Sequence, residues 1–169
     1  MSEALSRRLK QTQFADPRQE ALLSVIVAAN TLNDLMDRIC AQYSITRPQY
    51  NVLRILRGAH PEGHARCEIA RRMVDRASDI TRLVDRLQTR GLVKRYRGDS
   101  DQREAIACIT AKGLRLLEKM RPEIEAETRK VLHRLSDQDC RELSRLCALI
   151  FESDLEPDVS AGNESGYMP

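Results

Sequence analysis

Apolar positions recur along most of this chain at the three- and four-residue spacing of α-helices. Residues 19–41 keep this spacing over roughly six turns, which predicts one long amphipathic helix. A second long helix is predicted from residue 111 to about residue 135, with Thr110 as its cap and with Pro122 expected to kink or split it. A last helix is predicted over residues 136–151, where a serine stands at the N-cap position.

Two further helices are predicted in the middle of the chain. Residues 46–59 form the first, because Thr46 is followed three residues later by a glutamine, which is the pattern of a capping box. After a turn that contains proline and glycine, residues 65–72 predict a short helix with Ile69 and Ala70 directed inward.

The segment 77–110 carries the most informative pattern. Its first part predicts a helix whose apolar face consists of residues at the spacing i, i+3, i+4 and i+7, namely Ile80, Leu83, Val84 and Leu87. Gly91 then suits a left-handed helix end, and two β-compatible segments follow at residues 92–97 and 104–109. A helix with a polar outer face, followed by a hairpin with arginine at its tip, is the layout of a winged helix-turn-helix. There the helix enters the major groove of DNA and the hairpin reaches the minor groove.

The loop of this hairpin, residues 98–103, contains acidic residues among several cations. An unpaired carboxylate would repel the phosphates of DNA. Asp101 is explained if it holds the guanidinium of Arg103 by a charge-assisted hydrogen bond and so directs that side chain into a narrow groove. The alternative is an exposed ion pair, which would contribute little to stability.

The charge of the chain is unevenly distributed. The net charge is +3 over 169 residues, yet residues 64–103 hold eleven Lys and Arg against six acidic residues. Residues 152–169 hold five acidic residues and no Lys or Arg, and this polar segment is expected to be disordered. A local excess of positive charge favours binding to nucleic acid more than the average over the whole chain suggests.

Several classes of protein are not expected. No run approaches the 18 apolar residues of a membrane helix and the start has no signal-peptide core, so we expect a cytoplasmic protein without membrane contact. The five cysteines are irregularly spaced, and we expect neither a metal site nor a cofactor. The sequence shows no nucleophile–base pair and no glycine-rich phosphate loop, so an enzyme is not expected.

Over about residues 20–150 the chain resembles the MarR (multiple antibiotic resistance regulator) family of transcription factors. The matching blocks are Ile45-Thr46-x-x-Gln49-Tyr50-x-x-Leu53, Glu68-Ile69-Ala70, Ile80-Thr81-Arg82-Leu83-Val84-Asp85-Arg86-Leu87, Arg90-Gly91-Leu92-Val93, Asp101-Gln102-Arg103 and Ile109-Thr110-Ala111-Lys112-Gly113. The last two blocks, joined by a short strand, are the most specific. The region before Ser78 varies among family members, so the operator sequence stays open.

The resemblance implies a mainly α fold with a small β-hairpin, in the order α-α-β-α-α-β-β-α-α. The implied fold is a winged helix-turn-helix with N- and C-terminal dimerisation helices. The chain would then comprise a dimerisation segment, a DNA-binding domain, C-terminal dimerisation helices and an acidic tail, at residues 1–44, 45–110, 111–152 and 153–169. In a homodimer the long apolar faces would pack partly on the partner, and the two lobes would read a pseudo-palindromic operator.

The resemblance also implies roles for individual residues. We expect Arg76 and Arg82 to contact bases and Thr81 to touch a phosphate or a thymine methyl, while Arg86 and Arg95 bind phosphate. Arg103 would enter the minor groove with Asp101 as its orienting partner. The expected DNA-binding residues are Arg76, Ser78, Thr81, Arg82, Arg86, Arg95, Arg97, Asp101 and Arg103.

The function implied is that of a sequence-specific regulator of transcription, expected to be a repressor that a small phenolic or lipophilic anion releases from double-stranded DNA. The ligand crevice would be lined by the end of the first long helix, the start of the next helix and the start of residues 111–121, with Tyr43, Arg47 and Tyr50 available to hold an aromatic anion. Two alternatives remain: a winged-helix module that binds protein, and a regulator that senses oxidants through a cysteine. Cys40 lies at the opposite end of its helix from the redox cysteine of such relatives.

Overall fold

A computed structural model describes residues 3–10, 14, 16–75, 79–97 and 105–152, without the side chain of Arg97. Residues up to Glu127 form one compact unit and those from Thr128 onward form a second. The elements in chain order are α1 (Glu3–Leu9), α2 (Pro17–Gln42), α3 (Arg47–Gly58), β1 (His64–Ala65), α4 (Arg66–Arg72), α5 (Ile80–Thr89), β2 (Val93–Arg97), β3 (Ala105–Ile109), α6 (Ala111–Leu132) and α7 (Asp137–Phe151).

The described part of the chain is mostly helical and has one small antiparallel sheet. Strand β3 lies in the centre, paired with β2 on one side and with the two-residue β1 on the other. In the hairpin, Val93 pairs with Ile109 and Arg97 pairs with Ala105. The predicted mainly α winged-helix fold is confirmed. From α2 onward the elements follow the expected order, and α1 is an additional short helix before them.

The predicted capping box at the start of α3 is present. The Thr46 side chain accepts a hydrogen bond from the Gln49 backbone N–H at 3.4 Å, and the Gln49 side chain accepts one from the Thr46 N–H at 3.0 Å. These two bonds satisfy N–H groups that have no partner within the helix. The box therefore fixes where α3 begins and, with it, which face of α3 enters the core.

The core of the first unit surrounds α3. Val52, Leu53 and Leu56 are fully buried on one face of this helix. They belong to one apolar cluster with buried residues of the neighbouring elements, including Ile69, Leu87, Ile109 and Met120. Full burial of such a side chain contributes about 1.5–3 kcal/mol. The core thus holds α4, α5 and the sheet against α3, and this packing positions α5 at the surface.

The structure changes details of three predicted helices. Ala70 is exposed, because the short α4 buries only one face, which Ile69 occupies. Helix α6 continues through Pro122 to Leu132, so the proline does not split it. Helix α5 begins at Ile80, because Asp79 caps it.

Two helices expose large apolar residues. Helix α7 begins with a capping box at Ser136 and has no buried residue along its 15 residues. Its exposed apolar residues are Leu143, Leu146, Leu149, Ile150 and Phe151. On α2, in the other unit, the corresponding residues are Leu22, Val25, Ile26 and Leu32. Each helix therefore presents an apolar face that the single chain leaves uncovered.

The longest helix keeps its charged residues near its two ends. Helix α2 has 26 residues, with Arg18 and Glu20 at its start and Asp34, Asp37 and Arg38 towards its end. Within the described ranges, no helix combines the length and the apolar character needed to cross a lipid bilayer.

Candidate nucleic-acid interface

Helix α5 separates its residues sharply between core and surface. Ile80, Val84 and Leu87 are buried, as their spacing predicts. At the start of the helix, the carboxylate of Asp79 accepts a hydrogen bond from the Arg82 backbone N–H at 3.1 Å. This cap was missed in the sequence, although an aspartate directly before the first apolar residue is a helix-start signal. The polar side chains between the buried residues project from the protein surface.

The C-terminal end of α5 is a Schellman motif. Gly91 takes a φ of 68°, and the backbone N–H of Leu92 donates to the Leu87 carbonyl at 2.9 Å. Side chains at the start of α6 bind the carbonyls that remain. Lys112 donates to the Arg90 carbonyl at 2.8 Å, and the Thr110 hydroxyl donates to the Gly91 carbonyl at 2.8 Å. The helix is therefore fixed at both ends.

Arg95 on β2 supports the outer side of α5. Its guanidinium forms an ion pair with Asp85 and donates a longer hydrogen bond to the Thr81 carbonyl at 3.4 Å. The Arg95 side chain is only 29% exposed, whereas that of Asp85 is 53% exposed. The residue that the sequence assigned to phosphate binding thus also joins the hairpin to the helix.

Arg66, the first residue of α4, also contacts Thr81 of α5. Its guanidinium donates to the Thr81 hydroxyl at 3.2 Å, at an exposed position. Arg66 carries no sequence signal for this role. Fifteen residues separate the partners, so spacing alone could not pair them. The helix-turn-helix layout does place the start of one helix beside the start of the next.

Arg82 and Arg86 are the exposed cations of α5 itself. Among the residues that the structure describes, neither guanidinium has a hydrogen-bond or ion-pair partner. With Thr81, they form the outward face of the helix, one turn apart from each other. An exposed helix face with long unpaired cations and a hydroxyl suits contact with base edges and phosphates in a groove.

Five of the predicted DNA-binding residues fall wholly or partly outside the described part of the chain. Arg76, Ser78, Asp101 and Arg103 lie outside the described residues. Arg97 lies at the end of β2, where only its backbone pairing is described. Their roles remain predictions.

The base of the hairpin is tied to the turn before β1. The Tyr96 hydroxyl donates to the Glu62 carbonyl, and the Cys108 thiol donates to the Pro61 carbonyl at 3.2 Å. Gly63 has a φ of 77°, and a Cβ atom there would lie 2.2 Å from the Ala107 carbonyl oxygen. Only glycine fits between the turn and β3, so the hairpin leaves the body of the protein in a defined direction.

The three predicted ligand residues do not lie together. Arg47 and Tyr50 line a cavity of about 470 Å³ between α2, α3 and residues 73–75. Arg54 lines the same cavity, with apolar residues that include Met36 and Ile55. Residues 111–121 do not line this cavity, but Leu117 and Arg121 line a smaller cavity of about 210 Å³ that Tyr50 also lines.

Tyr43 instead faces α6. Its hydroxyl donates to a carboxylate oxygen of Glu123 at 3.0 Å, and the Lys119 ammonium lies 5.8 Å from the centre of its ring. The hydrogen bond to Glu123 raises the pKa of the Tyr43 hydroxyl above its ordinary value. This side chain connects the end of α2 to α6.

Cys40 is a poor candidate for sensing oxidants. The residue is fully buried, and burial together with the nearby carboxylate of Asp37 raises the pKa of its thiol to about 11, although Arg47 opposes this shift. The thiolate is the reactive form of cysteine. Within the described part of the chain, no group of three or more His, Cys, Asp or Glu is placed to hold a metal ion.

Comparison with known proteins identifies the family. The MarR family model matches residues 45–105. A MarR transcription factor from Planctomyces limnophilus is 36% identical, with a TM-score of 0.63 over 81% of this chain and 99% of that one. A MarR family regulator from Streptomyces coelicolor, solved in complex with DNA, is 24% identical, with a TM-score of 0.74 over 89% of this chain and 96% of that one.

The transcriptional regulator TtmR from Methylorubrum extorquens is 31% identical over 115 residues. This match covers 66% of the chain but only 58% of TtmR, little more than half of that regulator's length. The structural relative from Planctomyces is matched along nearly its whole length at higher identity. The chain therefore belongs to the MarR family of transcriptional regulators, which are not enzymes.

Proposed function

We propose that this protein is a homodimeric regulator that binds a pseudo-palindromic operator in double-stranded DNA and represses transcription until a small ligand releases it. One observation carries the proposal: Thr81, Arg82 and Arg86 project from α5, while the opposite face of this helix is locked into the core. In this arrangement α5 lies in the major groove and the β2–β3 hairpin reaches the adjacent minor groove. The Streptomyces relative, which was solved in complex with DNA, supports DNA as the partner of this fold.

The arginines of this surface have different proposed tasks. Arg82 reads a base, since bidentate contact of arginine with guanine is the commonest specific pairing, and Arg86 binds phosphate. Arg95 has its charge largely matched by Asp85, so its main task is to hold α5 in position. The remaining roles are those that the resemblance implies for side chains outside the described part of the chain. Arg76 and Ser78 contact the major groove, and Arg97, Asp101 and Arg103 contact DNA from the wing.

The uncovered apolar faces of α2 and α7 support the proposed homodimer. Exposed leucine and isoleucine side chains recur along both helices, and burying them against a second copy would remove a large apolar area from water. The proposed organisation is therefore a dimerisation segment at residues 1–44, a DNA-binding domain at residues 45–110, further dimerisation helices at residues 111–152 and an acidic tail. We also propose that the protein acts in the cytoplasm, where its DNA target lies.

The cavity beside α3 is the proposed ligand site. Its volume of about 470 Å³ lies in the range of small-molecule sites. Arg54 can attract an anionic group, and so can Arg47 if it exchanges its ion pair with Asp37 at 3.4 Å. Tyr50 can stack on an aromatic ring, and Met36 and Ile55 provide apolar contact. A small lipophilic anion such as a phenolic acid has this combination of properties. Residues 73–75 form part of the wall and precede α5 closely, so occupancy could displace the recognition helix.

In vitro selection from a random duplex library tests the proposal. The full-length protein should enrich two inverted half-sites separated by about one helical turn. If the protein enriches no sequence and also binds no duplex at low salt, the alternative is favoured, in which the winged helix binds another protein.

A further inference from the structure

The C-terminal end of α2, like that of α5, is a Schellman motif. The backbone N–H of Ile45 donates to the Cys40 carbonyl at 3.1 Å, and that of Ser44 donates to the Ala41 carbonyl at 2.9 Å. Ser44 adopts the left-handed conformation, with a φ of 57°. This motif leaves the carbonyls of Tyr43 and Ser44 directed away from the helix and in need of partners.

Arg90 supplies both partners. One guanidinium nitrogen donates to the Ser44 carbonyl, and another donates to the Tyr43 carbonyl at 3.3 Å. Arg90 is the C-cap residue of α5, so the residue that directly follows the recognition helix caps the end of α2. A cation in this position also interacts favourably with the dipole of α2. We refer to Arg90 and these two carbonyls as the Arg90 clamp.

The clamp is rigid for two reasons. A guanidinium is planar and donates in two fixed directions, so two bonds define orientation as well as distance. Tyr43, whose carbonyl accepts from Arg90, is itself fixed, because its hydroxyl donates to Glu123 of α6 at 3.0 Å. The position of the end of α5 is thereby fixed relative to α2.

We propose that the Arg90 clamp sets the spacing between the two half-sites that the dimer reads. This inference rests on the proposed function, in which a second copy covers the apolar face of α2. If α2 carries the dimer contact, then the distance between the two recognition helices depends on how firmly each α5 is tied to its own α2. A change of one base pair moves a half-site by about 3.4 Å and rotates it by about a tenth of a turn. A rigid dimer loses affinity for DNA when the spacing changes by one base pair. A dimer without the clamp can adjust the distance between its recognition helices and keep most of its affinity.

The test is in vitro selection from a random duplex library with the full-length wild-type chain, Arg90→Met and Lys112→Met. Lys112 is the matched control, because it also provides a cation that binds a carbonyl at the end of α5 but makes no described contact with α2. Wild type and Lys112→Met should enrich half-sites at one spacing. Arg90→Met should enrich the same half-sites at two or more spacings. Its preference for the original spacing over one longer by one base pair should fall by about tenfold, comparable with the loss of one base contact.

Circular dichroism and sedimentation establish whether each variant is a folded dimer. If Arg90→Met is a folded dimer and keeps the single spacing of wild type, the inference is overturned. If Arg90→Met does not fold, the Arg90→Lys variant is tested instead, because lysine keeps the charge but lacks the planar pair of donors. Selection of several half-site spacings by Arg90→Lys would support the clamp. Selection of the single wild-type spacing would refute it. Absence of paired half-sites with wild type would instead overturn the proposed function and this inference together.

Discussion

Single arginines near α5 differ in what their guanidinium groups already contact. Arg66, Arg90 and Arg95 each donate to another element, whereas Arg82 and Arg86 have no partner among the described residues. An arginine that is already bonded must exchange those bonds to reach DNA, while an unbonded one only loses water and side-chain freedom. The two groups should therefore respond differently to substitution.

Arg82→Ala should relax base preference at one operator position and cost roughly 1–3 kcal/mol of binding free energy. The reason is that a bidentate contact with a base discriminates among sequences, whereas a phosphate contact does not. Affinities for a set of single-base operator variants measure this effect. Uniform loss across the whole set would show that Arg82 does not read a base.

Arg86→Ala and Arg95→Ala should both weaken all sequences alike but differ in salt dependence. Loss of a free phosphate-binding cation flattens the slope of log K against log salt by about one unit. Arg86→Ala should show this change. Arg95→Ala should show less, because Asp85 already offsets the charge of Arg95. Equal changes of slope would mean that Arg95 leaves Asp85 and binds phosphate directly.

The thiol of Cys40 should be nearly unreactive in the folded protein. With a pKa of about 11, about one thiol in a thousand is ionised at pH 8, so alkylation at Cys40 should be far slower than at the exposed Cys67. Peptide mapping after brief iodoacetamide treatment measures both. The raised pKa contributes stability below the ordinary value near 9, and this contribution is lost as the pH rises through 11. Rapid alkylation of Cys40 in folded protein would contradict its burial.

At the scale of elements, the wing is proposed to act as a unit in which Asp101 directs Arg103. Asp101→Ala removes a negative charge near DNA, so charge alone predicts tighter binding. The proposed pairing predicts weaker binding, because a freed Arg103 loses side-chain entropy on entering the groove, at a cost of up to about 2 kcal/mol. A double-mutant cycle on operator affinity at fixed salt should find Asp101→Ala nearly silent when Arg103 is already alanine. Full additivity, or tighter binding by Asp101→Ala, would refute the pairing.

Elements whose signals are local could be predicted from the sequence. The capping box at Thr46, the N-cap at Ser136 and the glycine end of α5 depend on residues a few positions apart, and all three are present. The two-residue β1 could not be predicted from its own residues, since so short a strand has no periodicity of its own. Its pairing with β3 depends on residues more than forty positions away.

The candidate site was predictable in part for the same reason. The outward face of α5 follows from helical spacing, which predicts that Thr81, Arg82 and Arg86 are exposed, as the structure shows. The bonds of Arg66 to Thr81 and of Arg90 to the end of α2 join residues 15 and 46 or more positions apart. Only the folded chain brings these groups together.

At the scale of the whole molecule, the uncovered faces of α2 and α7 predict a dimer. Sedimentation equilibrium at low micromolar concentration should give twice the chain mass of 19.3 kDa. Replacing Ile26 and Leu149 with charged residues should shift the protein towards monomer, since each change would bury an unpaired charge in the interface. A monomeric wild-type chain under these conditions would rule out the proposed architecture.

The central claim is that the outer face of α5 recognises a specific DNA sequence. Its most direct test is a fluorescence anisotropy titration of the full-length protein against its selected operator and a scrambled duplex of equal length, at two salt concentrations. We expect at least about a thousandfold preference for the operator, with both affinities falling as salt rises. Equal affinity for the two duplexes, or no binding to either at low salt, would contradict the claim.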